Sequence, residues 1–309
     1  MKTVNKVSIV GMGALGLLYG KLIADAKGRE AVSYLVDEAR FEKYKDMEVT
    51  VNGEAFDCQV VKAEDAEVAD LVIVAVKYSG LDEALDVMSK AVGPDTIIIS
   101  VLNGITSEHI IAERYGYKNI VFTVALGMDA MRFGRTLTYT QKGKLVLGEE
   151  KEGLTPEAAH NLRALVRLFS SCSVPFVVAS DIEYRIWSKL MLNVGINQTC
   201  MIYGTTYSGA LKPGSEANRT LISAMREVIA LANAEGIPLT EKDLNTNMEV
   251  LATLSPDGTP SMGQDRINKV PSEVDAFAGT IIKLAEKHGI YVPVNQFIYE
   301  RVKEIEAEY

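Results

Sequence analysis

The chain opens as an alternation of short apolar runs and amphipathic segments. Val7–Val10 is apolar and stops at Gly11, residues 15–26 have helical spacing, and Val32–Val36 is a second apolar run ending at Asp37. Residues 71–76, 96–102 and 120–126 repeat the apolar form, with a helix expected over 79–92 and closed by Gly93-Pro94. Near-continuous Val/Ile runs mark strands covered on both faces, and strand–helix–strand repetition implies a parallel sheet with right-handed crossovers. Two smaller patterns read as hairpins. One is Val49–Val51 running into Asn52-Gly53, and the other pairs 136–140 with 144–147 around Gly143. From about Asp181 the period changes, with helices expected over 182–201, 216–235, 240–254 and 273–287 and no strand between them. The expectation is an α/β chain: a parallel-sheet domain over 1–180, ending with Phe176–Val178, and an all-helical domain over 181–309.

Composition narrows the function classes. The 309 residues are 48% hydrophobic and 24% charged, ordinary globular values. Lys+Arg 32 against Asp+Glu 41 gives a net charge of −9, which disfavours sequence-independent binding to nucleic acid or an anionic membrane. Three cysteines, Cys58, Cys172 and Cys200, form no C-x-x-C pair, so neither a disulfide framework nor a cysteine metal site is expected. The usage fits a reducing cytoplasm. No apolar stretch reaches 18 residues, and the run after Val7 is broken by Gly11, Gly13 and Gly16, which argues against a signal sequence or a membrane span.

Candidate chemistry concentrates in two places. Gly11-Met12-Gly13-Ala14-Leu15-Gly16 lies between the first strand and the first helix, the context that makes G-x-G-x-x-G a dinucleotide loop. Gly11 permits the turn, Gly13 lets backbone approach a pyrophosphate, and Gly16 lets helix and strand pack closely. Asp37, at the end of the second strand, stands where an acid would bind ribose hydroxyls and favour NADH, while Arg40 could instead hold a 2′-phosphate. Both also have the composition of a solvated loop. Lys77 and Asn103 follow later strands at positions where open parallel sheets bind ligands, though Asn103-Gly104 is equally a common turn pair.

The second place is the segment 184–197. It is apolar on most sides, so it is expected to be largely buried, yet Lys189, Asn193 and Asn197 recur at i, i+4, i+8 on one face. Burying a lysine and two amides without partners costs about 1–3 kcal/mol for each group. The line must therefore face water, an internal network or a polar ligand. One lysine with two neutral amides is unlike a solvent-facing mixture of Glu and Lys, and Gly195 suggests close approach of another element. A lysine in a partly dry cleft is a plausible general acid. The three histidines, His109, His160 and His288, lie in helical stretches or at a helix end, which argues against a dehydrogenase built on a catalytic histidine.

Taken together, the GMGALG loop, Leu102-Asn-Gly-Ile105, Trp187-Ser-Lys-Leu-Met-Leu-Asn193 with Asn197, and Pro260-Ser-Met262 with Ser272-Glu-Val-Asp275 resemble the 2-dehydropantoate 2-reductase (ketopantoate reductase) family over essentially the whole chain. The resemblance implies a Rossmann domain followed by a helical C-terminal domain, and NADPH-dependent reduction of a 2-oxo acid to a 2-hydroxy acid, in pantothenate synthesis, by an active site that draws on both domains. It implies Lys189 as proton donor, Asn193 and Asn197 as holders of substrate hydroxyls, and Ser261 as the carboxylate site. It places Asn103 between nicotinamide and substrate, and gives cofactor contacts to Lys77, Ala130 and Glu273. From the residues alone, Ser261 is also an ordinary helix start and Glu273 an ordinary first-turn acid. Two positions depart from the family pattern. Val36-Asp37 stands where an arginine for the 2′-phosphate is often found, and Tyr207-Ser208-Gly209 replaces an Asn-Gly pair. The first leaves NADH possible, and the second leaves another branched or aromatic 2-oxo acid possible. A dinucleotide sensor without catalysis is the rival reading, and a homodimer is possible through the long helix over 216–235.

Overall fold

The computed structural model describes residues 2–149 and 156–309. It divides into two compact units, one of residues up to Leu102 with Thr106–Ile182, the other of Asn103–Ile105 with Glu183–Tyr309. In this it differs from a single cut after residue 180. Asn103–Ile105 follows a strand of the first unit in sequence but makes its contacts with the second.

The first unit runs β1 (Val7–Val10), α1 (Ala14–Lys27), β2 (Val32–Val36), α2 (Glu38–Tyr44), β3 (Val49–Val51), β4 (Glu54–Phe56), β5 (Val60–Lys62), β6 (Leu71–Val74), α3 (Leu81–Val87), β7 (Ile97–Ser100), α4 (Ser107–Tyr115), β8 (Phe122–Met128), β9 (Met131–Phe133), β10 (Thr136–Thr138), β11 (Lys142–Gly148), α5 (Pro156–Ser171) and β12 (Phe176–Val178). Its main sheet has the order β5-β2-β1-β6-β7, with every pairing parallel. The first strand therefore lies in the middle and the chain winds outward in both directions. The order reverses between β1 and β6, where doubly wound sheets place a ligand beyond the strands' carboxyl ends. All residues of β1, β6 and β7 are buried, as their unbroken apolar sequence requires.

Of three local expectations, one is met and two change. The Asn52-Gly53 hairpin forms, with φ of 49° and 85° as a primed two-residue turn demands. The hairpin expected over 136–147 does not. Thr136 and Leu137 pair parallel with β3, whereas β11 joins β8 and β12 in a different sheet. Alternating apolar positions were present in both strands, but alternation does not say which neighbour supplies the hydrogen bonds. The helix expected over 79–92 is shortened to α3 and flanked by single 3₁₀ turns at Tyr78–Gly80 and Ser89–Ala91.

The second unit is helical throughout its described elements: α6 (Ile182–Tyr203), α7 (Tyr207–Leu211), α8 (Glu216–Ala234), α9 (Glu241–Ala252), α10 (Ser261–Asn268), a π-helical turn (Asp275–Gly279), α11 (Thr280–His288) and α12 (Pro293–Glu306). Residues 193–202 of α6 are all buried. At Gly195 a Cβ would lie 2.6 Å from Met225 Cγ, so glycine is what lets α6 and α8 approach here. Helix α8 buries Leu221, Ala224, Met225, Val228 and Leu231 within its own unit, against α7, α9, α11 and α12. Among the described residues no helix is long and apolar enough to cross a membrane.

Candidate active site

In the first unit the glycine loop sits at the sheet's reversal point. Gly11 has φ of 109°, and a Cβ there would lie 2.4 Å from the Ala75 carbonyl oxygen beyond β6. A Cβ on Gly16 would lie 2.0 Å from the Gly11 carbonyl oxygen. The loop is thus pressed between α1 and β6, and only glycine fits at both positions. Gly13 is the N-cap of α1, has no side chain to cap the helix, and no acid follows in the first turn. The first-turn N–H groups of α1 therefore lack an internal acceptor and, with the helix dipole, suit an anion. This donor set fits the pyrophosphate of a dinucleotide.

Tyr34 of β2 donates its hydroxyl to the Gly16 carbonyl at 3.1 Å, in the space that Gly20 leaves by lacking a Cβ. Ala130 packs in the same apolar cluster as Met12, Ala14 and Leu15, and Lys77 is exposed just past β6.

Asp37 and Arg40 form more than a solvated loop. Asp37 is the N-cap of α2, its Oδ1 accepting the Arg40 N–H at 2.7 Å, and its Oδ2 takes the Arg40 guanidinium. Arg40 also reaches α3, where Nη1 and Nη2 engage the two carboxylate oxygens of Glu83, Nη2 at 3.0 Å. Partial burial raises the Asp37 carboxyl, but the N–H and charge of Arg40 outweigh it and hold the group below the usual Asp value. The Glu83 hydrogen bond, ahead of the Asp37 charge, raises the Arg40 pKa. Nothing in the sequence near Arg40 announced Glu83, which lies 43 residues away.

In the second unit the polar line on α6 resolves into an internal network, as one of its three expected environments required. Asn193 and Asn197 are only 7% and 6% exposed, and Lys189 is half-buried. Lys189 Nζ donates to Asn103 Oδ1 at 2.8 Å, and Asn103 Nδ2 donates to Glu273 Oε2 at 2.9 Å. One turn further along, Asn197 Nδ2 donates to Asn193 Oδ1 at 3.1 Å. Asn197 Oδ1 accepts from the Ser261 hydroxyl at 2.8 Å and from the Met262 N–H at 3.3 Å. Pro260, not Ser261, is the N-cap of α10, so the serine hydroxyl is directed to α6 instead of capping its own helix. Glu273 likewise precedes the π-helical turn, its side chain given to Asn103. Asn193 Nδ2 keeps no hydrogen-bond partner among the described residues, leaving a donor for a ligand on an otherwise satisfied face. Tyr207 lies against Gly258, and its N–H donates to the Gly258 carbonyl at 3.0 Å, which ties the 207–209 segment to the loop leading into Ser261.

A doubly wound parallel sheet with a glycine loop at its reversal point, and a lysine–asparagine helix in the unit that follows, define an NAD(P)-dependent oxidoreductase. Comparison with known proteins carries this further. The family description "Ketopantoate reductase PanE/ApbA" matches residues 7–152, and "Ketopantoate reductase PanE/ApbA C terminal" matches 181–306. The chain belongs to the ketopantoate reductase family. A 2-dehydropantoate 2-reductase of Aquifex aeolicus is 24% identical, over 97% of this chain and 96% of its own. Among solved structures, D-mandelate dehydrogenase with NADH and anilino(oxo)acetate is 23% identical, covers 98% of this chain and 99% of its own, and superposes with a TM-score of 0.85. A ketopantoate reductase of Staphylococcus aureus, described as dimeric, is 22% identical with the same coverage and a TM-score of 0.80.

Proposed function

We propose that this protein reduces a 2-oxo acid to the 2-hydroxy acid with a nicotinamide dinucleotide, and that ketopantoate, giving pantoate, is the substrate. The observation that carries this is the paired network on one buried face of α6: Lys189–Asn103–Glu273 beside Asn193–Asn197–Ser261. A bound nicotinamide supplies the hydride for the carbonyl carbon. Lys189 delivers the proton to the carbonyl oxygen, its ammonium held by the Asn103 amide oxygen. Asn103 orients that ammonium, and Glu273, by taking the Asn103 N–H, fixes which end of the amide faces the lysine. Asn193 and Asn197 receive the substrate's hydroxyl groups, and Ser261, at the N-terminal end of α10, receives the carboxylate. In the first unit Gly11, Met12, Gly13, Ala14, Leu15 and Gly16 supply the phosphate cradle, with Lys77 and Ala130 as further contacts; the family resemblance gives Asn103 and Glu273 cofactor contacts as well.

A second reading concerns specificity, and Asp37 motivates it. With Arg40 occupied by Asp37 and Glu83, we infer NADH as the better cofactor and NADPH as the weaker one. Tyr207-Ser208-Gly209 makes a branched or aromatic 2-oxo acid other than ketopantoate the alternative substrate. A homodimer is the proposed assembly, by likeness to the dimeric relative, and sedimentation velocity tests it. The deciding experiment is the initial rate of nicotinamide oxidation over a panel of 2-oxo acids with NADPH and NADH in parallel, for wild type and Lys189→Ala. Loss of about 10²–10⁴ in kcat with dinucleotide affinity kept is expected for removal of a general acid. Full turnover in the variant sinks the assignment, and dinucleotide binding without turnover on any acid turns the reading to a sensor.

A further inference from the structure

The four-stranded sheet β4-β3-β10-β9 packs through β3 and β10 on α1, and its edge strand β9 brings one side chain to the glycine loop. Arg132 pairs across the ladder with Leu137, which is fully buried, so the two share the inward face, while Met131 and Phe133 are exposed. The half-buried guanidinium is fixed on three sides. Nε donates to the Gly134 carbonyl at 2.9 Å, the group lies 5.9 Å from the centroid of the Tyr44 ring, and Nη1 donates to the Met12 carbonyl.

That last contact matters because of what shares its peptide plane. In a trans peptide the carbonyl and the following N–H point in opposite directions, and no described peptide bond is cis. Holding the Met12 carbonyl toward Arg132 therefore turns the Gly13 N–H away from it, at the N-cap of α1, where the unpartnered first-turn donors begin. Gly11 and Gly16 fix the loop from the sides of β6 and α1, whereas a Cβ at Gly13 would meet only the Ala75 carbonyl oxygen, at 3.6 Å, so position 13 has no side chain to hold the Met12–Gly13 peptide.

We propose that Arg132 is a positioning residue for the dinucleotide. It locks the Met12–Gly13 peptide so that the Gly13 N–H is set for the pyrophosphate before the ligand arrives. The proposal rests on the reading of the loop as a dinucleotide site. It adds to that reading a residue 120 positions away in sequence, on a different sheet.

The test measures binding of NADH, ADP and adenosine by calorimetry or by competition, for wild type, Arg132→Met and Arg132→Lys, with melting temperatures of each. The variant Arg132→Met keeps the apolar stem and removes the donors. It is expected to weaken NADH and ADP about tenfold, the scale of a hydrogen bond from a charged donor, and to leave adenosine within twofold. Its KM for the dinucleotide is expected to rise in step while the KM for the 2-oxo acid does not. Arg132→Lys keeps a charged donor and is expected to recover most of the loss. Should Arg132→Met fail to fold, Arg132→Gln, which also removes the guanidinium from the Met12 carbonyl, takes its place and must show the same pyrophosphate-selective loss. Wild-type ADP affinity in a folded variant that lacks the guanidinium overturns the proposal, as does an equal weakening of ADP and adenosine. A wild-type chain that binds no dinucleotide fails earlier, at the reading of the loop itself.

Discussion

At the scale of single residues, the site turns on which polar atoms already have partners. Arg40 is the clearest case. Its guanidinium is shared between two carboxylates, and both it and Glu83 are about half exposed, so the pair is held weakly and can be rebalanced by one substitution. Glu83→Gln removes one negative charge and one strong acceptor. It is expected to raise kcat/KM with NADPH relative to NADH by roughly 1.5- to 5-fold, the range of a single exposed charge contact. An unchanged ratio in cofactor kinetics would show that Arg40 lies outside the ribose pocket. Asn103 behaves differently, because both ends of its amide are used. Asn103→Asp would place a carboxylate beside Glu273 and is expected to lower kcat more than Asn103→Ser, a ranking that steady-state rates check.

At the scale of elements, two devices hold the helical face in register. Gln198, the residue after Asn197 and fully buried, donates to the Val194 carbonyl at 2.9 Å and accepts the Ala278 N–H at 2.9 Å. It thereby satisfies a donor of the π-helical turn that follows Glu273, so α6 anchors the segment carrying that acid. Gln198→Leu leaves the Ala278 N–H buried without an acceptor and is expected to lose about 1–3 kcal/mol in chemical denaturation. The second device is the capping box of α9, where Asp243 accepts the Thr240 N–H at 2.8 Å and the Thr240 hydroxyl at 2.7 Å, together with the Tyr184 hydroxyl of α6. Burial alone would raise this carboxyl. Those donors outweigh it and hold it below the usual Asp value. A lowered folded pKa means the stabilisation is present above the unfolded value, about 4, and is lost as pH falls through the folded one. Asp243→Ala is expected to cost about 1 kcal/mol at neutral pH, and that difference from wild type should shrink below pH 4 in thermal melts.

At the scale of the whole molecule, burial governs the three cysteines. All are free; Cys172 and Cys200 are buried and Cys58 is half-buried. Desolvation pushes the Cys58 and Cys200 thiols up to about 12. At pH 8 roughly one thiol in ten thousand is then thiolate, so alkylation of these two is expected to be slow in the native protein and complete only in denaturant, as mass spectrometry would count. The same distinction between local and global divides what could be read from the chain. The apolar runs settled the strands β1, β2, β6 and β7, the glycine spacing settled the loop, and the i, i+4, i+8 spacing placed Lys189, Asn193 and Asn197 on one face. Each of these signals is carried within a few turns or a few strand residues, where the backbone period alone decides which way side chains point. The partners were not legible. Asn103 meets Lys189 across 86 residues and Glu273 across 170, and Ser261 meets Asn197 across 64. β10 chose β3 over the nearer β11, and Arg132 reached Met12 from another sheet. A hydrogen-bonding group on one element is compatible with many acceptors. Which one it takes depends on which elements bury each other's apolar faces, and only the packed tertiary structure fixes that.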